Sequence, residues 1–110
     1  MSTIIVDILG TKYSVEVKNR NADKNLSEVD GYCDWTTKRI VIVQNDDTFT
    51  VGNPTAYLDK VLRHEVIHAF MYESGLHEAA TFNDEHFEQM VDWIAIQYPK
   101  IEKVFKELVM

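Results

Sequence analysis

"NPTAYLDKVLRHEVIHAFMYESG", residues 53–75, decides how the chain is read. Asn53 before Pro54 is a helix start, with Asn as cap and Pro at the first helical position. Leu58, Val61, Leu62, Ala69 and Tyr72 follow one helical face, and Gly75 ends the run as a C-terminal glycine does. Within this helix His64-Glu65-Val66-Ile67-His68 fits the pattern H-E-x-x-H. Residues four apart on an α-helix return to nearly the same azimuth, so both imidazoles point the same way. They can share one Zn²⁺ at roughly 2.0–2.1 Å each. Glu65 lies on a neighbouring face, within reach of a water at the metal without binding the metal itself.

The bland reading is that these are surface or core histidines on an ordinary amphipathic helix. Chance favours it little. H-E-x-x-H should arise in well under about one percent of chains this short, given the frequencies of His and Glu. The neighbours Leu62, Val66, Ile67, Ala69 and Phe70 predict a largely buried helix. Buried histidines without partners are costly, and a metal is a partner.

Downstream, "TFND" at 81–84 is a capping-box signature for a second helix. Phe87, Met90, Val91, Ile94 and Tyr98 form its apolar stripe. Pro99 interrupts the ladder or opens a new helix, after which Ile101, Val104, Phe105 and Leu108 make a short amphipathic segment. Upstream the chain reads as strands. "TIIVDIL" and "KYSVEVK" flank a turn at Gly10-Thr11 and predict a hairpin. Residues 19–30 are polar and loop-like, with room for one helical turn. Tyr32–Thr36 and Arg39–Gln44 read as two strands around Thr37-Lys38, and "NDDTFTVGN" as a loop. The expected fold is α+β: a small antiparallel sheet from the N-terminal half, packed on the H-E-x-x-H helix and a second, C-terminal helix.

The 110 residues correspond to one domain, 1–110. Eleven basic against 18 acidic residues give a net charge of −7. That balance argues against nucleic acid and against an anionic membrane surface. The first ten residues carry no basic leader, and Asp7 breaks their apolar run, so no signal peptide or membrane span is expected. Cys33 is the only cysteine, which rules out an internal disulfide and fits a reducing, cytoplasmic setting.

A catalytic zinc needs a third protein ligand and an open position. His77, Asp84, Glu85, His86, Glu88 and Asp92 are within sequence reach. Glu85, Glu88 and Asp92 share one face of the second helix. Geometry alone leaves Glu85 and Glu88 as close competitors, and such acids most often form a solvated face.

H-E-x-x-H followed by Glu88-Gln89-Met90-Val91-Asp92 resembles the gluzincin metallopeptidases, with their E-x-x-x-D on the next helix. "EQMVDWIA" also resembles the corresponding segment of small ImmA/IrrE-type metallopeptidase-like proteins, and "RHEVIHAFMYESGL" is similar to phage and prophage proteins. The resemblance covers residues 58–96. It implies a minimal zincin-like domain in which His64, His68 and Glu88 bind zinc. It further implies that Glu65 is general base in peptide-bond hydrolysis of a protein substrate, and that Asp92 orients His64 through its other ring nitrogen. The alternative is a non-catalytic zinc-binding regulatory module of phage or prophage origin.

Other residues have simpler readings. Tyr57, Tyr72, His77 and His86 are potential oxyanion donors, each more naturally structural. Cys33 reads as a small hydrophobe; as a fourth ligand it would close the site. Trp35 and Trp93 are expected to be core or half-buried, and Met71 and Met90 core filler. Glu73 is badly placed for the helix dipole and reads as a surface residue. In zinc peptidases of this architecture an extended peptide pairs with an edge strand beside the active-site helix. The Arg39–Gln44 segment is the expected edge.

Overall fold

The computed structural model describes residues 3–46, 48–79 and 84–109, with side chains of 78, 79 and 84–86 left aside. Its fold is α+β. Strands β1 (Thr3–Ile8) and β2 (Thr11–Lys18) form the expected hairpin, paired from Thr3↔Glu16 to Ile8↔Thr11. Leu9 and Gly10 both take positive φ, at 52° and 90°, the requirement of a tight primed turn. Asp7 Oδ1 accepts from Gly10 N at 2.7 Å and closes it.

The second hairpin joins β3 (Gly31–Asp34) to β4 (Arg39–Val43), antiparallel from Gly31↔Ile42 to Asp34↔Arg39. It docks on the first through its return strand. β4 therefore pairs with β2 in parallel, from Ser14↔Arg39 to Lys18↔Val43, and the sheet order is β1-β2-β4-β3. The sheet is thus mixed where an all-antiparallel one was expected. The cause lies in residues 19–30, which carry the chain past β2 and back. Two short 3₁₀ turns, Arg20–Ala22 and Lys24–Leu26, shape this connection. The Arg20 guanidinium pins it, donating to Leu26 O at 2.6 Å, Val29 O at 3.0 Å and Asp30 Oδ1 at 2.7 Å.

The expected edge strand is also corrected. β4 is central, and its run Ile40-Val41-Ile42-Val43 is buried on both faces, which is why it is continuously apolar. Ile40 and Ile42 join Ile8, Tyr13, Val61 and Ala69 in the main core. Val41 and Val43 point the other way, against Leu26. The edges are β1 and β3.

Helix α1 (Pro54–Ser74) has the predicted ends. Asn53 Oδ1 accepts from Ala56 N at 3.0 Å, and Gly75 is left-handed at φ 82°. Gly31 lets the β3 edge approach this helix: a Cβ there would stand 2.9 Å from both Ile42 Cδ1 and Val61 Cγ1. A short helix α2 (Leu76–Ala79) follows, then α3 (Asp84–Leu108). Residues 81–83 of the expected capping box lie outside the described residues. Phe87 and Val91 of α3 pack on Met71 of α1, flanked by Ile67, Met90 and Ile94.

α3 runs through Pro99 without a break. A helical proline lacks the N–H that would satisfy the carbonyl four residues earlier, here Ala95. Arg63 of α1 fills that role, its Nε donating to Ala95 O at 2.7 Å. Beyond Pro99, the apolar residues Val104, Phe105 and Leu108 are exposed. Trp93 is exposed rather than core; Trp35 is partly exposed and stacks on Tyr72 at 5.7 Å. Among the described residues no helix is long and apolar enough to cross a membrane.

Candidate metal centre

α1 and α3 each contribute a pair of side chains at four-residue spacing, and the two pairs face one another. His64 Nε2 lies 3.0 Å from Glu88 Oε2, and His68 Nε2 lies 2.7 Å from Glu88 Oε1. The imidazole rings are 4.9 Å apart, centroid to centroid. The potential ligand atoms of His64, His68 and Glu88 all fall within 4.8 Å of one another. Behind them, His64 Nδ1 is 3.2 Å from Asp92 Oδ1.

The proton positions follow from chemistry. Burial works against the charge on Asp92, but hydrogen bonds from Lys60 and His64 outweigh it and hold the carboxyl below its ordinary range. An ionised carboxylate only accepts, so Nδ1 of His64 carries the proton. The other ring nitrogen, Nε2, faces an oxygen of Glu88 at 3.0 Å. Two lone pairs at that distance repel unless a proton or a cation stands between them. His68 resists a proton, because burial lowers its pKa despite the pull of Glu88. Two imidazoles and one carboxylate are a donor set suited to zinc. Ligand atoms on one tetrahedral zinc stand roughly 3.4 Å apart at bond lengths of about 2.1 Å. The contacts of 2.7 and 3.0 Å, made to two different oxygens of Glu88, are shorter than that, and the ligand atoms spread over as much as 4.8 Å, so side chains must shift to seat an ion. In donor chemistry the residues fit it.

The site opens into a cleft of about 410 Å³ lined by Gly31, Tyr32 and Cys33 of β3, by His64, Glu65, His68 and Tyr72 of α1, and by Glu88. Glu65 does not join the ligand group. Burial pushes its carboxyl up to about 7; the charge of Glu88 adds to this and His64 opposes it. Cys33 stays out of the ligand group as well. Its thiol is pushed up to about 12, first by burial and then by the negative charge of Glu65. Among the described residues the ligand group has three members, and all three line the cleft.

Of the rival third ligands, Glu85 and His86 have side chains outside the described set. His77 does not join the ligand group; its ring stacks on Tyr72 at 4.1 Å and lies against Phe87 at 4.8 Å. Tyr57 points away from the cleft and donates its hydroxyl to Asp30. Two participants went unread in the sequence. β3, not β4, forms the sheet wall of the cleft, and only long-range pairing decides which strand is the edge. Lys60 reaches Asp92 at 3.0 Å; its spacing of four residues before His64 was a signal available in the sequence.

Comparison with protein families, with curated proteins and with solved structures finds no match.

Proposed function

We propose that this chain is a zinc-dependent peptidase that hydrolyses a peptide bond in a protein substrate. The observation that carries the reading is the convergence of two imidazole nitrogens and one carboxylate at a cleft that also holds Glu65. His64, His68 and Glu88 hold the metal, and Asp92 fixes the ring of His64. Bound there, zinc supplies a Lewis acid that polarises a carbonyl and brings water near a pKa of about 7. Glu65, in the same cleft, takes the proton of the attacking water and returns it to the leaving amine. Of the weighed oxyanion donors whose side chains are described, Tyr72 is the one that lines the cleft. The free edge of β3 offers backbone hydrogen bonds to an extended peptide, which suits a sequence-tolerant seat. The lone cysteine and the phage-like motif suit a cytoplasmic protein of phage or prophage origin. A zinc-holding module without chemistry would have no use for Glu65 in the cleft.

The test combines metal analysis with digestion of a mixed peptide library. Wild type should retain zinc and cleave. Glu65→Gln should retain zinc and lose at least roughly a hundredfold in rate. Glu88→Ala should lose zinc while Glu85→Ala keeps it. Equal cleavage by wild type and Glu65→Gln removes Glu65 as the base, and a wild type that holds no zinc removes the whole reading.

A further inference from the structure

α3 carries one apolar seam along its whole length. Phe87, Val91, Ile94, Tyr98, Ile101, Phe105 and Leu108 alternate steps of four and three residues. That spacing keeps side chains on one side of a helix. The first part of the seam is the contact with α1, where Phe87 and Val91 are buried against Met71. The second part is open: Phe105 is 64% and Leu108 67% exposed, and Tyr98, Ile101 and Val104 are exposed beside them. The two helices run antiparallel, since His64 meets Asp92 and His68 meets Glu88. Continued at that register, the last turns of α3 pass beyond Pro54, where α1 begins. They form a ridge with no helix of the same copy left to cover it.

On the same side of α3 lies an apolar groove of about 730 Å³. Ile94 and Tyr98 of the seam line it, with Leu62, Val66 and Phe70 of α1 and Leu76 of α2. Its one charged lining residue, Arg63, already donates to Ala95 O at 2.7 Å. Ridge and groove are the convex and concave ends of one surface. Such a surface is complementary to itself across a twofold axis. Lys100, Lys103 and Lys106 fall on the far side of α3, so none of them stands on the seam. At about 200 Å² for a large side chain when fully exposed, the open parts of ridge and groove come to roughly 700 Å² per copy. A twofold dimer that covered them would bury roughly 1,400 Å², inside the range of about 1,200–2,000 Å² for specific interfaces. An anionic lipid surface suits the face less, because the chain carries a net charge of −7.

We infer that the occupant is a second copy of this chain. The C-terminal half of α3 of each copy lies in the α1–α3 groove of the other, antiparallel to its α3. The seam that joins α3 to α1 within one copy thus continues as the seam between copies, and two helical hairpins make a four-helix arrangement. The metal centre stays clear of it. His64, Glu65, His68 and Tyr72 of α1 line the cleft, and none of them lines the groove. The dimer therefore stands or falls independently of the peptidase reading.

Sedimentation velocity of the full chain at micromolar concentrations tests it, with zinc content measured on the same samples. Wild type should sediment as a dimer. Phe105→Glu in the ridge and Phe70→Glu in the groove should each weaken association by at least about thirtyfold, as loss of a central apolar anchor does. Lys103→Glu, on the far side of α3, should leave the dimer unchanged. Both phenylalanines are exposed in the single copy, so the monomeric variants should keep the far-ultraviolet circular dichroism of wild type. Where a glutamate variant loses it, Phe105→Ser or Phe70→Ser takes its place. A wild type that stays monomeric overturns the inference; if that monomer also pellets with phosphatidylserine vesicles, the face belongs to lipid. A dimer that survives both glutamate variants uses another surface, and one broken by Phe105→Glu alone does not use the groove; either result overturns the inference as well. A dimer that breaks as expected but holds no zinc would keep this interface and remove the peptidase reading instead.

Discussion

Glu73 sits in the last turn of α1, where the helix dipole disfavours a negative charge. From sequence it reads as a surface residue. The structure gives it partners from the sheet: Tyr13 Oη and Lys38 Nζ both donate to its Oε2 at 2.7 Å. Those bonds tie the end of the helix to β2 and to the turn before β4. Hydrogen bonds from Lys38, then Tyr13, lower its carboxyl from the ordinary 4.5 to about 2. A depressed folded-state pKa means that the unfolded chain takes up the proton first as pH falls. The stabilisation is therefore complete above about pH 4.5 and is lost between there and about pH 2. Urea midpoints of wild type and Glu73→Gln should differ at neutral pH, with wild type higher, and converge by about pH 2. Curves that stay parallel throughout that window would show that Glu73 has no special role.

At the scale of elements, what could be read from sequence was whatever depends on near neighbours. The ends of α1 were legible because Asn53, Pro54 and Gly75 each act on backbone within a turn. The pairs His64/His68 and Glu88/Asp92 were legible because four-residue spacing fixes a shared face before any tertiary contact forms. Pro99 was misread because its compensation comes from another helix. Arg63 Nε satisfies the carbonyl of Ala95, a residue with no exposure, and nothing near Pro99 signals it. Arg63→Ala should accordingly strand a buried carbonyl and cost about 1–3 kcal/mol. In a Pro99→Ala background the restored N–H can take that carbonyl, so the same change should cost much less. A double-mutant cycle by chemical denaturation reads the difference; additive costs would mean that Arg63 and Pro99 act independently. β4 was misplaced for the same kind of reason. A run such as Ile40–Val43 announces burial on two faces, but which hairpin strand docks on β2 is settled outside that run, by the Arg20-pinned connection of residues 19–30.

The whole molecule joins two halves of different character. Sheet and α1 share the main core, with Ile8, Tyr13, Ile40, Ile42, Val61 and Ala69 all buried. α3 rests on α1 through a smaller cluster, Met71, Phe87 and Val91, and through the polar group of His64, His68, Glu88 and Asp92. The three potential ligands come from both helices, so a cation that binds them binds the folded arrangement and not the unfolded chain. Such linkage contributes about 2.7 kcal/mol when free metal is a hundred times its dissociation constant. For a domain of this size each kcal/mol moves the melting temperature by roughly 4–8 °C, so removal of zinc should lower it by roughly 10–20 °C. The loss should fall on α3 first, because its apolar cluster is the smaller of the two. Amide exchange of α3 should therefore quicken on chelation more than that of β2 and β4, and Glu88→Ala should exchange fast with or without zinc. A zinc-loaded sample whose melting and α3 exchange ignore the chelator would mean that the metal sits elsewhere, and that the packing of Phe87 and Val91 alone holds the second helix in place.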